Sequence, residues 1–529
     1  MYNKQYFIKF VGRAIAWFIG VICLGNYCSY ASDCIAINEI QLVGNEELKH
    51  REIKQIRDQY SARCLNISEL QEIVRLMTNY YVESGYITTR VSLPEQDLSA
   101  GILFVDIQDG VIEDIEVVGH KRLSQSDFFP ANLPLRRRKV LNLRDIEQST
   151  DHYNKLKSNN ANIVLKPGSK PGGTVVVIDN QASKKWRVVS GFDNSGSKQK
   201  GELQSYNNFT LENITGGNEL YNFGYRTSLD DPSVRHMVAY TGMFLIPFGY
   251  NELGLSYNQA KYKNYIHGIN NSYSNRGSSK VYKVDLSRTI HRDGVGKTVL
   301  LVGAAWEEYT NYIANYKLDI STYKVRKFDF GLSHQRRFGA GVLGTGISFT
   351  YGVNKGFVSN YSNLRVPEKY FNKVNANASW LVPLPIIIAD RKLQYQLQLE
   401  GQYSTNLLVG SEKSTLGGLS SIRGFKDYSE NTDNMILARN ELSLPISIGN
   451  NPKIKSLFGE VSIFGAIDFG AFRNHEEIGS RSGVLSGIAT GIKNKDGHIN
   501  FSLTYARPMQ APVLFKHKNI LYFSLALDV

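Results

Sequence analysis

Proline is scarce in this sequence, with 14 in 529 residues, and cysteine is scarcer, with four. No block of like charge stands out, although 61 basic against 48 acidic side chains leave a net charge of +13. A dispersed excess argues against a nucleic-acid-binding tail and suits a polar basic lumen or a charged surface equally well. Past residue 31, no apolar run is long enough to cross a membrane as a helix. There is no His/Cys cluster with metal-ligand spacing and no nucleophile–base spacing, so no metal, cofactor or enzymatic activity is expected. The stretch "GVGKT" at 294–298 resembles the end of a phosphate-binding loop, but position 291 is histidine where that motif needs glycine. No helix follows it, and it reads as a hairpin turn. His475–Glu476 stands alone and reads as part of a solvated outer loop.

Tyrosine (31), phenylalanine (25) and glycine (46) are abundant, while mean hydropathy is slightly negative. Aromatics and glycine without overall hydrophobicity point to extensive β-structure. The length exceeds one ordinary core, so several domains or one very large architecture are expected.

The first residues read as an address. Lys4, Lys9 and Arg13 supply positive charge, Ala14 to Leu24 a short apolar run, and Ser29–Tyr30–Ala31 a small-x-small cleavage site. Cleavage is expected after Ala31, making 1–31 a signal peptide. A single membrane anchor is the alternative, but the run is short for a bilayer span. Lipoprotein processing is disfavoured, because Ile22 before Cys23 is too bulky and no small residue precedes Cys28 or Cys34. Cys23 and Cys28 leave with the signal. Cys34 and Cys64 remain in an oxidising compartment, where a disulfide is expected, two free thiols being the alternative. It would close a loop of about 30 residues, worth roughly 3–4 kcal/mol on the chain-entropy model.

Residues 34 to 109 read as strand, helix, helix, strand, strand. "CIAINEIQLVG" alternates and "NEELKHREIKQIRDQY" has helical composition. A second helix is expected from Ser68, with Ser68 and Gln71 as a capping box and Leu70, Ile73, Val74, Met77 and Tyr81 on one face. Gly85 ends it. The order recurs less regularly: "VIEDIEVVGH" as a strand, "LNLRDIEQSTDHYNKLK" as a helix, and "NIVLKPGSKPGGTVVVID" as a hairpin turning between Lys166 and Gly173. Two β-α-α-β-β units of about 75 residues are therefore expected.

From Trp186 onward no helix is convincing, and segments of about ten residues alternate between apolar and polar. The last places Leu521, Phe523, Leu525, Leu527 and Val529 opposite Tyr522, Ser524, Ala526 and Asp528. Sixteen such segments can be counted, an even number as bacterial single-chain membrane barrels require. Connections alternate in length: tight turns at His291–Gly294 and Asn494–Gly497, long loops at Lys261–Gly277, Lys355–Glu368 and Leu407–Asn431. A soluble sandwich rarely shows both features, so a transmembrane barrel is expected over 185–529.

Against this frame, several stretches are specific in their order and spacing. These are "GYITTRVSLPEQDLSAG" (85–101), "LNLRDIEQ" (141–148), "GFDNSGSK" (191–198) and "LGGLSSIRGF" (416–425). On them the chain resembles the outer-membrane transporters of two-partner (type V) secretion, the TpsB family of hemolysin secretion/activation proteins. The resemblance implies two periplasmic α+β POTRA domains (β-α-α-β-β), at 32–109 and 110–184, followed by a 16-stranded antiparallel transmembrane β-barrel. It also implies that the sixth outer loop, 405–432, folds into the barrel. There the family's [VI]-R-G-[YF] motif falls on Ile422, Arg423, Gly424 and Phe425. Its partner motif on the thirteenth strand falls on Ala466 to Gly470, with Asp468 and Gly470 matching and Ala466 departing from the first position.

The residues support that pairing independently. Asp468 shares parity with Glu460 and Ser462, opposite Val461, Ile463 and Ile467, so it faces the lumen, since a carboxylate facing lipid is costly. Arginine's planar fork suits a carboxylate, Gly424 permits a close approach, and Gly417 and Gly418 permit a sharp re-entry. An ordinary solvated loop with a surface arginine is the alternative.

The resemblance implies a monomeric exporter without cofactor, seated in outer-membrane lipid, with no nucleic-acid partner. Its partner would be a secreted exoprotein (TpsA-type) with an N-terminal secretion domain, in the hemolysin, adhesin or toxin class. An outer-membrane protein insertase, related in fold, is the alternative. With cleavage after Ala31 there is no room for the plug helix the family often carries. The terminal Val529 also differs from the aromatic end usual in bacterial barrels.

Overall fold

The computed structural model of the protein describes residues 34–44, 51–118, 132–199, 201–267, 271–355, 367–449, 451–475, 480–511 and 518–529. The expected signal peptide lies outside the described residues. The described part divides into two compact units, residues up to Val111 with Lys170–Gly172, and the remainder.

The first unit contains β1 (Ile35–Ile37), β2 (Glu39–Val43), α1 (Arg51–Tyr60), β3 (Arg63–Leu65), α2 (Ile67–Glu83), β4 (Arg90–Ser92) and β5 (Ile102–Gln108). Strand β5 alternates, burying Leu103, Val105 and Ile107, and pairs parallel with β2 and antiparallel with β4. Helix α2 lays Leu70, Ile73, Met77 and Tyr81 on one buried face, spaced at the helical period. Its capping box differs from the expected one. Asn66, extended at φ −91° and ψ 173°, accepts from the Glu69 N–H while Glu69 accepts from the Asn66 N–H. Ser68 already lies inside the helix, so it cannot serve as the cap. Gly85, at φ 95°, takes the left-handed position just past the C-cap. Strand β1 pairs with β3, and Cys34 is joined to Cys64 by a disulfide, with Cα atoms 5.3 Å apart.

The second unit takes up β6 (Val111–Val117) from Ile112 and continues with α3 (Leu143–Asn154), β7 (Ala161–Pro167) and β8 (Gly173–Asn180). The sheet order is β6-β8-β7, covered by a core that includes Leu133, Leu141, Ile146, Tyr153, Val176 and Ile178. Between β6 and α3, residues 119–131 lie outside the described residues, so the first helix expected for this repeat is not described.

The chain then enters β9 (Trp186–Asp193), β10 (Gln204–Glu212), β11 (Leu220–Ser228), β12 (His236–Phe248), β13 (Asn251–His267), β14 (Ser272–Arg292) and β15 (Gly296–Ile313). A two-residue β16 (Tyr316–Lys317) precedes β17 (Tyr323–Phe338), β18 (Gly341–Lys355), β19 (Tyr370–Ile388) and β20 (Arg391–Tyr403). The short β21 (Ser414–Leu416) and β22 (Glu430–Thr432) lie in the next loop. The wall resumes with β23 (Asn434–Ile446), helix α4 (Pro452–Phe458), β24 (Glu460–His475), β25 (Ser480–Lys495), β26 (Ile499–Gln510) and β27 (Ile520–Asp528). Without β16, β21 and β22, sixteen antiparallel strands close as a barrel, β27 pairing with β9 through Ser524↔Asp193 to Asp528↔Val189. At the seam, the backbones of Val529 and Val188 exchange two hydrogen bonds of 3.0 Å.

Closure leaves no strand edge unpaired in the apolar layer, which is what allows β-structure to span lipid. Strand β24 shows the resulting alternation. Phe464, Ala466, Asp468, Gly470 and Phe472 turn inward, and Ile463, Ile467 and Phe469 outward. Val461, of outward parity, is nevertheless buried where it pairs with Ile446. The residues of "GVGKT" do form a turn into β15.

One long outer loop was expected over Lys261–Gly277, and here the structure differs. Strands β13 and β14 run through most of it, paired up to His267↔Ser272. Polar and basic side chains there look like a loop in sequence. Beyond the apolar layer, however, both faces of a strand meet water, so polarity no longer marks a strand's end.

Candidate functional site

The loop between β20 and β23 is the sixth outer loop, and it turns back into the barrel. Strands β21 and β22 form a hairpin from Ser414↔Thr432 to Leu416↔Glu430. Beyond it the chain reverses through Gly417 and Gly418, at φ 112° and 108°. A Cβ on Gly417 would lie 2.5 Å from the Tyr428 carbonyl oxygen, whereas one on Gly418 meets open space. Gly417 is therefore required by both backbone and packing, Gly418 by backbone alone.

Arg423 follows, 4% exposed. Its Nε and Nη2 donate to Oδ2 and Oδ1 of Asp468, each at 2.7 Å, as a fork on a carboxylate. Its backbone N–H donates to Oδ2 of the same residue at 2.9 Å. Nη1 donates to Oε2 of Glu441 at 2.7 Å, and the guanidinium carbon stands 5.9 Å from the Phe464 ring centre. Asp468 is 1% exposed and lies on β24, the thirteenth barrel strand.

Apolar contacts hold the loop against the wall. Ile422 and Phe425 are fully buried with Leu416, Leu437, Phe472 and Leu485. Small residues in the wall make room for them: a Cβ on Gly470 would lie 2.6 Å from the Ile422 side chain, and one on Gly487 1.9 Å from the Arg423 carbonyl oxygen. Gly424, at φ 104°, brings the backbone so near β26 that a Cβ would sit 2.7 Å from the Arg507–Pro508 peptide. Ala466 lies in the wall cluster of Phe464, Ala489, Ala506 and Tyr522.

Several participants carry no motif. Glu441 on β23 also binds Lys493, and Arg439 donates to the carbonyls of Ser420 at 3.0 Å and Leu419 at 3.2 Å. At the loop's root, Glu412 binds Lys327 at 2.8 Å and Lys373 at 2.9 Å. Asp433 accepts from the N–H groups of Leu408 and His475, each at 3.0 Å. Parity would have placed Arg439 and Glu441 in the lumen with Asp468, but nothing in sequence distinguishes them from other inward charges. His475 is a structural part of this root, its Nε2 lying 2.9 Å from the Ser404 carbonyl oxygen. Glu476 lies outside the described residues. Among the described residues, no group of His, Cys, Asp and Glu side chains is arranged to hold a metal ion.

Below the barrel, α3 docks on the opposite turns. Arg292 donates to Gln148 and Asp151, each at 2.9 Å, and to Glu147 at 3.1 Å, while Lys297 reaches Asp151 at 3.0 Å. The Tyr250 hydroxyl donates to Asp145 at 2.5 Å. Burial works against ionisation of Asp151, but the hydrogen bonds from Arg292 and Lys297 outweigh it and hold the carboxyl below its usual range. Burial lowers His152 to about 4. The Gln148 amide, oriented by Arg292 on its oxygen, donates to His152 Nε2 at 2.7 Å, so the imidazole is neutral there.

Residues 172–494 match the family model described as haemolysin secretion/activation protein ShlB/FhaC/HecB. Residues 35–110 match the ShlB-type POTRA domain and 112–167 a second POTRA model. The chain is 30% identical over 492 residues to outer membrane transporter CdiB of Dickeya dadantii strain 3937, covering 90% of this chain and 84% of the relative. It is 25% identical over 421 residues to hemolysin transporter protein ShlB of Serratia marcescens, covering 79% and 74%. Among solved structures, CdiB from Escherichia coli superposes with a TM-score of 0.85 at 28% identity, covering 96% of this chain and 93% of that one. With two POTRA domains and a closed sixteen-stranded barrel, the chain belongs to the haemolysin secretion/activation (TpsB) family of outer-membrane transporters of two-partner secretion.

Proposed function

We propose that the protein captures an unfolded secreted partner in the periplasm and threads it through the barrel, with the sixth loop as the element that must shift. The Arg423–Asp468–Glu441 cluster carries this reading. A buried fork with extra hydrogen bonds holds one loop conformation, and breaking it leaves each charge without its partner. The loop is thus seated by contacts that are specific yet reversible without covalent change.

The partner is an exoprotein with an N-terminal secretion domain, in the class that the names of the hemolysin- and CdiB-type relatives suggest. Capture uses strand addition. The two small sheets, ordered β2-β5-β4 and β6-β8-β7, each have outer strands with an edge unpaired among the described residues, and an extended chain adds to such an edge through its backbone with modest sequence demands. Folding of the partner outside would draw it through.

Arg423→Ala tests the mechanism. Export of the partner should stop while the folded barrel still accumulates in the outer membrane. Export at the parental level from this variant would rule out the loop contact as part of transport.

A further inference from the structure

The long strands β12–β15 carry an outward patch that neither the loop nor the small domains use. Strand partners share a face, so the rows can be read from the register. Ile246, Leu253, Leu286 and Val302 form one lipid-facing row, and Gly242, Tyr257, Tyr282 and Trp306 another, nearer the outer side. The Tyr257 and Tyr282 rings lie 4.9 Å apart, as in an aromatic girdle.

On β14 the outward face from Tyr282 to Ile290 carries Tyr282, Val284, Leu286 and Ile290, with Arg288 before the last, toward the periplasmic turn. At about 3.4 Å per residue and a tilt near 40°, that is about 21 Å along the membrane normal, close to the ~25 Å apolar band of such barrels. Past the girdle the same face turns basic. Lys280 comes first, then Lys261 with Ser278 and Thr310, then His236, Lys263, Arg276 and Tyr312 in one row. These rows stand roughly 5 to 16 Å beyond the aromatics, at the level of the outer leaflet's headgroups.

The patch is concave, a groove of about 380 Å³ lined by His236, Val238, Lys261, Lys263, Arg276 and Tyr312. Arg276 stacks 4.9 Å from the Tyr312 ring centre, and Lys263 5.5 Å from that of Tyr265. Among the described residues, no carboxylate forms an ion pair with Lys261, Lys263 or Arg276. The acid on this face, Glu308, is held by Lys324 at 2.6 Å. The buried Nδ1 of His236 has no hydrogen-bond partner among the described residues.

We propose that this groove binds the phosphorylated glucosamine headgroup of an outer-leaflet lipopolysaccharide. The three cations meet the phosphates through charge-assisted hydrogen bonds. The tyrosines and hydroxyls meet sugar, and the apolar face below accepts the acyl chains. Height, charge and groove shape all fit this occupant, which shares the membrane with the protein.

The full chain, purified from outer membranes in mild detergent, is tested by native mass spectrometry with bisphosphorylated lipid A, dephosphorylated lipid A and phosphatidylglycerol as probes. Bisphosphorylated lipid A should bind the parent and a control variant, Arg391→Gln with Lys392→Gln, equally well. The triple variant Lys261→Gln, Lys263→Gln, Arg276→Gln should bind it at least about tenfold more weakly, three surface cations being lost. Heat-modifiable gel migration shows whether each barrel is folded. If the triple variant fails to insert, Arg276→Gln alone should show the same loss at smaller amplitude. Unchanged affinity in the folded variants would overturn the proposal. So would equal binding of dephosphorylated lipid A, or equal binding of phosphatidylglycerol.

Discussion

At the scale of single residues, the loop depends on a few positions where only one side chain fits. Arg423 is such a position because its donors are already matched one to one with oxygens of Asp468 and Glu441. Lysine would keep the charge but lose the planar fork. Gly424 is another, for a steric reason. Alanine there combines a left-handed backbone with a Cβ 2.7 Å from the Arg507–Pro508 peptide. Gly424→Ala should unseat the loop by roughly 1–3 kcal/mol, the range for such strain. Limited proteolysis of intact cells would report it as new cleavage between residues 414 and 432. A loop as protected as the parent's would contradict this account. Asp468 was readable from the family's strand motif, and parity placed it in the lumen, since a carboxylate on a membrane strand must face water. Glu441, Arg439 and Glu412 were not, because their roles depend on which strands surround the folded loop. Neither composition nor spacing encodes that neighbourhood.

At the scale of elements, α3 and the turns beneath the barrel form an ionic seat whose strength follows pH. His152 is held near 4 against 6.5 for the free group, so the unfolded segment binds the extra proton first as pH falls. The stability that this neutral histidine contributes is complete above pH 6.5 and is lost progressively down to about 4. The loss is on the order of 3 kcal/mol, at 1.36 kcal/mol per pKa unit. Asp151, held below its usual value, adds a loss of the same sign below pH 3.8. Hydrogen exchange of Leu143–Asn154 should therefore accelerate between pH 7 and pH 4.5, after correction for intrinsic rates. His152→Gln should flatten that dependence, and an unchanged profile in the variant would exclude the histidine. In sequence this helix was visible as a helix, but its contacts were not. Arg292 and Tyr250 sit in turns that look like any others until the barrel brings them under the second small domain. Strand ends were the least legible feature. The polar course of 261–277 read as loop because, above the membrane, alternation no longer carries information.

At the scale of the whole molecule, alternating segments, an even strand count and unequal connections were enough to indicate a barrel, because closure and a lipid boundary constrain every strand in the same way. Transport is tested at this scale, because the proposed route involves the small domains, the wall and the folded loop together. Its most direct test compares the culture-medium and outer-membrane proteomes of the native host with and without this gene. The account predicts that one or two large proteins vanish from the medium while the other barrels of the outer membrane keep their levels. A broad fall in those other barrels, with the medium otherwise unchanged, would contradict it and point to an insertase.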